Sequence, residues 1–184
     1  MAAAETFARL SQHMVQGIMI HTEFADYYLF LNLPGYAACH RYHAKSESKS
    51  RHELHEYYIT HYGKLIRHQA QSAVDVIPNN WFSYSRADVS PSDIATAVRK
   101  GLEAWVKWER DTKQLYQSAY RELMEQGEVA AACFVRNMVL DVTEELNNAE
   151  RYLLNKKAVD YDIGAIMSEQ DGKRHEYRTK MVGI

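Results

Sequence analysis

Ile77-Pro78-Asn79-Asn80-Trp81-Phe82-Ser83-Tyr84-Ser85-Arg86-Ala87-Asp88-Val89-Ser90 is the stretch that decides how this chain is connected. It is rich in turn formers and aromatics. It runs into Ser90-Pro91-Ser92-Asp93, a helix start with Ser at the N-cap, Pro at the first helical position and Asp three residues after the cap. Extended, the segment reaches roughly 45 Å at about 3.3 Å per residue, the length of a helix of about 30 residues. It can therefore travel the length of a bundle and start the next helix parallel to the one before. That gives a four-helix bundle with one long crossover, whereas a loop folded back on itself would give an up-down-up-down bundle.

The flanking sequence supplies the four helices. From about Glu5 to Asn32 no proline intervenes, and Phe7, Leu10, Met14, Ile18, Ala25 and Tyr28 recur at helical spacing. Leu33-Pro34-Gly35 ends this helix, because proline lacks a donor and disfavours helix in the residue before it. A second helical run starts near Tyr36 and extends to about Val76, with a fray or kink near Gly63. The third runs from Pro91 to about Gln126, with Gly127 as its stop, and the fourth from Glu128 to about Lys157. The short turns at Pro34 and Gly127 make antiparallel neighbours of helices one and two, and of three and four. The bundle domain is expected over 1–160, and 161–184 as a short helix or mobile tail.

Composition excludes several classes. The chain has 184 residues, 46% apolar and 25% charged, which suits one globular domain with a core of its own. A net charge of −2 gives no field that recruits nucleic acid; the basic stretches Lys45–Arg51 and Lys173–Lys180 stand against that balance. No apolar run is long enough for a bilayer, so no membrane partner is expected. Cys39 and Cys133 make no disulfide framework, and a reduced, cytoplasmic setting fits best.

The anomalies lie in acids and histidines. Helix one is apolar nearly all round between Gly17 and Leu33; its only formal charges there are Glu23 and Asp26, with His21 close by. A helix apolar on every face is buried on most of them. A buried carboxylate needs a partner, a proton or a metal. The bland alternative is a carboxylate that meets an Arg or one of the 13 tyrosine hydroxyls, or finds solvent at a narrow exposed strip. In helix two, His40, His43 and Glu47 share a face, and His52, His55 and Glu56 form a second group. Such faces bind transition metals, although histidine-rich faces are also ordinary solvated surface. Helix three holds Glu103 and Glu109 around Trp105 and Trp108, and helix four holds Asp141, Glu144 and Glu145. Glu109 lies 18 residues before Gly127 and Glu144 17 after it; Glu23 and Glu47 lie 11 before and 13 after Pro34. Each hairpin thus carries acids at similar depth, as a carboxylate-bridged metal centre requires.

With these residues in view, the chain resembles the ferritin-like superfamily. Leu102-Glu103-Ala104-Trp105-Val106-Lys107-Trp108-Glu109-Arg110 looks like the third-helix ferritin pattern of two acids six apart. Glu23-Phe24-Ala25-Asp26-Tyr27-Tyr28-Leu29 looks like the first-helix segment, and Phe134 to Glu145 like the fourth, with Asp141 or Glu144 at the acidic position. Leu31-Asn32-Leu33-Pro34-Gly35-Tyr36 followed by His40 is similar to the miniferritin (Dps-type) first turn, which would put His40 against a neighbouring subunit. The Glu-x-x-His of ferritins and rubrerythrins is replaced by His40-Arg41-Tyr42-His43 and His52-Glu53-Leu54-His55.

The resemblance implies an all-α, ferritin-like bundle and a homo-oligomer. It implies a bound metal ion, iron as a di-iron centre or manganese, with Fe(II) oxidation as the activity. The expected ligands are Glu23, Glu47, Glu109 and Glu144 with nitrogen from His43 or His55. His40, Glu103 and Asp141 are further candidates, and Tyr27 is a redox or hydrogen-bonding neighbour. The competing expectation is a metal-free oligomeric bundle, with Trp81, Phe82 and Tyr84 as contact residues.

Overall fold

The computed structural model describes residues 2–66 and 88–182. Four long helices carry the fold: α1 (Ala2–Phe30), α2 (Pro34–Tyr62), α3 (Pro91–Glu125) and α4 (Val129–Ala158). Two shorter ones follow, α5 (Ile163–Ser168) and α6 (Gln170–Val182).

Local chemistry sets these ends. Ser90 and Asp93 form a reciprocal capping box at the start of α3, with Pro91 in the first turn. α2 stops at Tyr62 because Gly63 adopts the left-handed conformation, φ 63°, and its N–H donates to the Ile59 carbonyl at 2.8 Å. That is short of the expected Val76; residues 67–76 lie outside the described residues, as do 77–87 of the expected crossover, including Trp81, Phe82 and Tyr84. Leu33 gives α2 no side-chain cap. Gln170 of α6 supplies one instead, its Oε1 accepting from the backbone N–H groups of Gly35 at 3.0 Å and Tyr36 at 3.4 Å.

Side-chain pairs fix the directions. Along α1, Ser11 meets His55 and His21 meets His40, so α1 and α2 are antiparallel. Thr6 meets Glu122, His13 meets Thr112 and Tyr28 lies against Gly101, so α1 and α3 are antiparallel as well. α2 and α3 are therefore parallel, so the end of α2 and the start of α3 lie at opposite ends of the bundle. This is the all-α, ferritin-like architecture with its long crossover. The segment after 160 forms α5 and α6. α6 lies on the polar first half of α2, with Tyr177 against Tyr42 and the Lys45 ammonium donating to the Met181 carbonyl. An ion pair at 2.6 Å between the buried Lys156 and the half-buried Glu169 ties the end of α4 to the turn before α6.

The core is in two parts. One end packs Phe24, Tyr28, Leu33, Leu102, Trp105 and Ile166; the other packs Phe7, Leu10, Met14, Leu54, Tyr116 and Leu123. Each such side chain stabilises the fold by roughly 1.5–3 kcal/mol through burial. Between the two apolar ends lies a belt of buried histidine and glutamate.

Candidate metal centre

Each long helix sends a polar side chain into that belt. α1 provides His21, α2 provides His40, His43 and Glu47, α3 provides Glu109, and α4 provides Glu145. Glu109 is 0% exposed, His21 1%, His40 0% and His43 5%, so these groups are removed from water as completely as the apolar core. One ligand atom each from His21, His43 and Glu109 lie within 4.8 Å of one another.

The contacts around them are directional. The His21 Nε2 stands 3.6 Å from Glu109 Oε1, and that same oxygen accepts a hydrogen bond from the Trp105 indole at 2.8 Å. His21 Nδ1 faces His40 Nδ1 at 3.0 Å. His43 Nδ1 lies 3.7 Å from Glu145 Oε1, too far for a hydrogen bond. Among the described residues, His43 Nδ1, His40 Nε2 and Glu109 Oε2 find no hydrogen-bond partner. Buried polar atoms without partners are costly, and a ligand shared by His43 and Glu109, two of the three grouped with His21, accounts for two of these atoms.

Burial and neighbouring charge shape the protonation. Burial, with His43 adding to it, lowers the His21 pKa to about 3 against the opposing pull of Glu145. His40 is likewise driven well below its usual range, by burial and then by His21 and His43. At His43 burial also lowers the pKa, but Cys39 and Glu145 outweigh it and hold the ring well above that range. Burial, then Glu145 and Glu109, push the Glu47 carboxyl well up. Glu109 is raised by burial, with His43 and the Trp105 hydrogen bond opposing.

A cavity of about 360 Å³ opens beside this belt between α2 and α4. His43, Glu47, Tyr116, Asp141, Glu144 and Glu145 are among its lining residues. The buried Tyr116 phenol is raised by burial first, and then by the carboxylates of Glu47, Glu145, Glu109 and Asp141.

The ten residues singled out from the sequence fall into three places. His43, Glu47 and Glu109 stand in the belt; His40 stands directly behind His21, inside the bundle. Asp141 and Glu144 are exposed at the cavity wall. The remaining four are elsewhere. Glu23 is half-buried on α1 but outside the cluster, Glu103 is exposed, and His55 is bonded to Ser11 at 2.7 Å in the far half of the bundle. Tyr27 is packed in the opposite apolar end beside Tyr28. His21 and Glu145, noted in the sequence only as neighbours of better candidates, are the α1 and α4 contributions. Cys39 is buried and Cys133 exposed, both as free thiols. Among the described residues no helix is long and apolar enough to cross a membrane.

No protein-family profile matches the sequence, and no curated protein matches it. Solved structures do. A closed form of the Archaeoglobus fulgidus ferritin made by site-directed mutagenesis superposes with a TM-score of 0.76 at 14% identity, covering 94% of each chain. A humanized archaeal ferritin gives 0.79 at 14% identity over 94% of each chain. A PmFTN variant soaked in iron gives 0.75 at 13% identity, covering 91% of this chain and 96% of that one. At such identities the likeness speaks for the backbone and its connections. The chain has the ferritin-like four-helix bundle fold.

Proposed function

We propose that this protein handles iron, taking Fe(II) at the histidine–carboxylate belt in the middle of its bundle. The observation that carries the reading is the convergence of His21, His43 and Glu109 in a buried space, where His43 Nδ1 and Glu109 Oε2 have no hydrogen-bond partner among the described residues. The donor set fits: imidazole with carboxylate suits iron and related transition ions, and manganese suits the carboxylates. The similar structures include ferritins and a variant soaked in iron.

Fe(II) is here the substrate and each ion gives up one electron: four ions reduce one dioxygen to two waters, or two reduce one hydrogen peroxide to two waters, with the protons drawn from solvent. The chain's residues bind and orient it. His21, His43 and Glu109 hold it, the Trp105 hydrogen bond keeps the Glu109 carboxylate in place, and the Glu47 carboxyl, pushed up by burial, takes up or releases a proton beside it. The apolar ends of the bundle exclude water from two sides. Asp141 and Glu144, exposed along the cavity wall, attract cations toward it. Self-association fits the exposed Leu140, Leu154 and Val129, and the two free thiols suit a reducing cytoplasm.

The test is aerobic Fe(II) addition followed by near-ultraviolet absorbance and oxygen uptake, with Glu109→Gln as control. The expected result is oxidation faster than in buffer, reduced at least tenfold in the variant. Oxidation at the buffer rate, with no metal retained by the purified protein, would leave the metal-free oligomeric bundle as the better account.

A further inference from the structure

We propose that the belt takes a single divalent transition-metal ion per chain, held by His21, His43 and Glu109, with His40 fixing the His21 ring from behind. The inference rests on the metal reading above and goes beyond it in the number of ions and in the role of His40.

Geometry comes first. Donor atoms sharing one ion at about 2.1 Å are at most about 4.2 Å apart. The three donors here lie within 4.8 Å of one another, a few tenths of an ångström from that span. Two imidazoles and one carboxylate make a three-point site that leaves other positions open, and the cavity lies beside His43 and Glu47.

α1 gives the cluster an imidazole where a second ion would need another carboxylate. At the neighbouring turn of α1 stands Gly17, over which the Glu47 carboxyl lies. One divalent ion is neutralised by Glu109 together with Glu47. Two would leave the buried centre positive even with Glu47, Glu109 and Glu145 all ionised. A buried net charge is costly. Glu23, the acid on the same stretch of α1, is not in the cluster.

The third observation is the pair of facing ring nitrogens. With His21 Nδ1 and His40 Nδ1 at 3.0 Å, one of them carries the shared proton. If His21 binds through Nε2, the nitrogen nearer Glu109, then its Nδ1 holds the proton and donates to His40. That fixes the tautomer and the ring plane, the part an outer partner plays at a ligating histidine. His40 is thus a positioning residue.

Co(II) and Zn(II) are suitable probes, since neither depends on an oxidant. Anaerobic Co(II) titration, read by visible absorption and by metal analysis after gel filtration, is expected to saturate at one equivalent per chain. His21→Asn, which keeps a polar group facing His40, and the isosteric Glu109→Gln should each weaken binding at least tenfold while the circular dichroism is unchanged. His40→Phe should weaken it about 10–100-fold and alter the Co(II) bands, and His40→Asn should restore part of both. Two equivalents bound would overturn the single-ion proposal and leave the metal reading standing. No equivalents would overturn both. One equivalent indifferent to His21→Asn and Glu109→Gln would overturn the assignment of the site, and a His40→Phe spectrum identical to the wild type would overturn the role of His40.

Discussion

The Glu47 carboxyl lies against Gly17, the only glycine of α1, so that a Cβ there would stand 3.1 Å from its carboxyl carbon and Oε1. A glycine inside a helix costs about 0.5–1 kcal/mol relative to alanine. The atoms a methyl group would meet are the far end of a side chain that can rotate away. Gly17→Ala is therefore expected to raise the stability of the metal-free protein by about 0.5 kcal/mol in denaturant titration. A loss of stability would mean that Glu47 is held rigidly in place.

Gly101 presents the opposite case. A Cβ there would run into the Tyr28 hydroxyl and come within 2.9 Å of its ring carbon, and Tyr28 is fully buried among Phe24, Tyr36 and His40. Overpacking of this kind costs about 1–3 kcal/mol, and Gly101→Ala should lose that much. The Tyr28 hydroxyl has no hydrogen-bond partner among the described residues. Tyr28→Phe is thus expected to be neutral or mildly stabilising and to recover much of the loss in the double variant. Additive effects in that cycle would disprove the contact.

The docking of α6 depends on Gly35. A Cβ there would meet the Gln170 carbonyl at 2.5 Å and its Cα at 2.9 Å, both backbone atoms that cannot rotate away. Gly35→Ala should push α6 off α2 and expose the α4–α6 connection near Tyr161 to limited proteolysis. Gln170→Ala should do so more weakly, because it removes the cap without a clash.

His13 offers a pH test away from the belt. It is stacked on Trp108 with ring centroids 4.3 Å apart and bonded to Thr112 at 2.7 Å. Burial lowers its pKa from 6.5 to about 4, against a smaller upward pull from Asp111. The unfolded chain therefore binds a proton that the folded chain refuses, and His13 makes the fold less stable as pH falls from about 6.5 to about 4. His13→Phe keeps the stack and removes the titration. Its stability relative to the wild type should rise as pH falls through that window; a constant difference would contradict the assignment.

The scaffold was legible because its signals are strong and local: the breaker Pro34-Gly35, the capping box at Ser90, and Gly127. The site was legible in proportion to how the helices declare their buried seam. In α3 the buried positions Val98, Leu102, Trp105, Glu109, Thr112, Tyr116, Ala119 and Leu123 alternate by four and three, and Glu109 stands out as the acid among them. In α2, His40, His43 and Glu47 lie on such a seam with Tyr36, Leu54 and Tyr58. α1 hides its seam because it is apolar all round. Its buried Phe7, Met14, His21 and Tyr28 repeat every seven residues, and that repeat would have put His21 inside. Glu23 lies two residues further on, about 200° around the helix. Glu144, likewise, sits one residue before Glu145, which falls seven after Met138 and seven before Tyr152. Equal depth along a helix axis says nothing about which face a residue occupies, so counting from Pro34 and Gly127 cannot separate Glu23 from His21 or Glu144 from Glu145. The crossover's own conformation falls outside the described residues; its direction follows from the pairing of α1 with α2 and α3.

The most direct test of the account is anomalous diffraction from crystals of the protein loaded anaerobically with Fe(II), collected on either side of the iron absorption edge. The expected result is an iron peak in the middle of the bundle, within bonding distance of His21, His43 and Glu109 and absent from Glu109→Gln crystals. A bundle with no peak there, or with iron only at exposed acids such as Asp141 and Glu144, would contradict it.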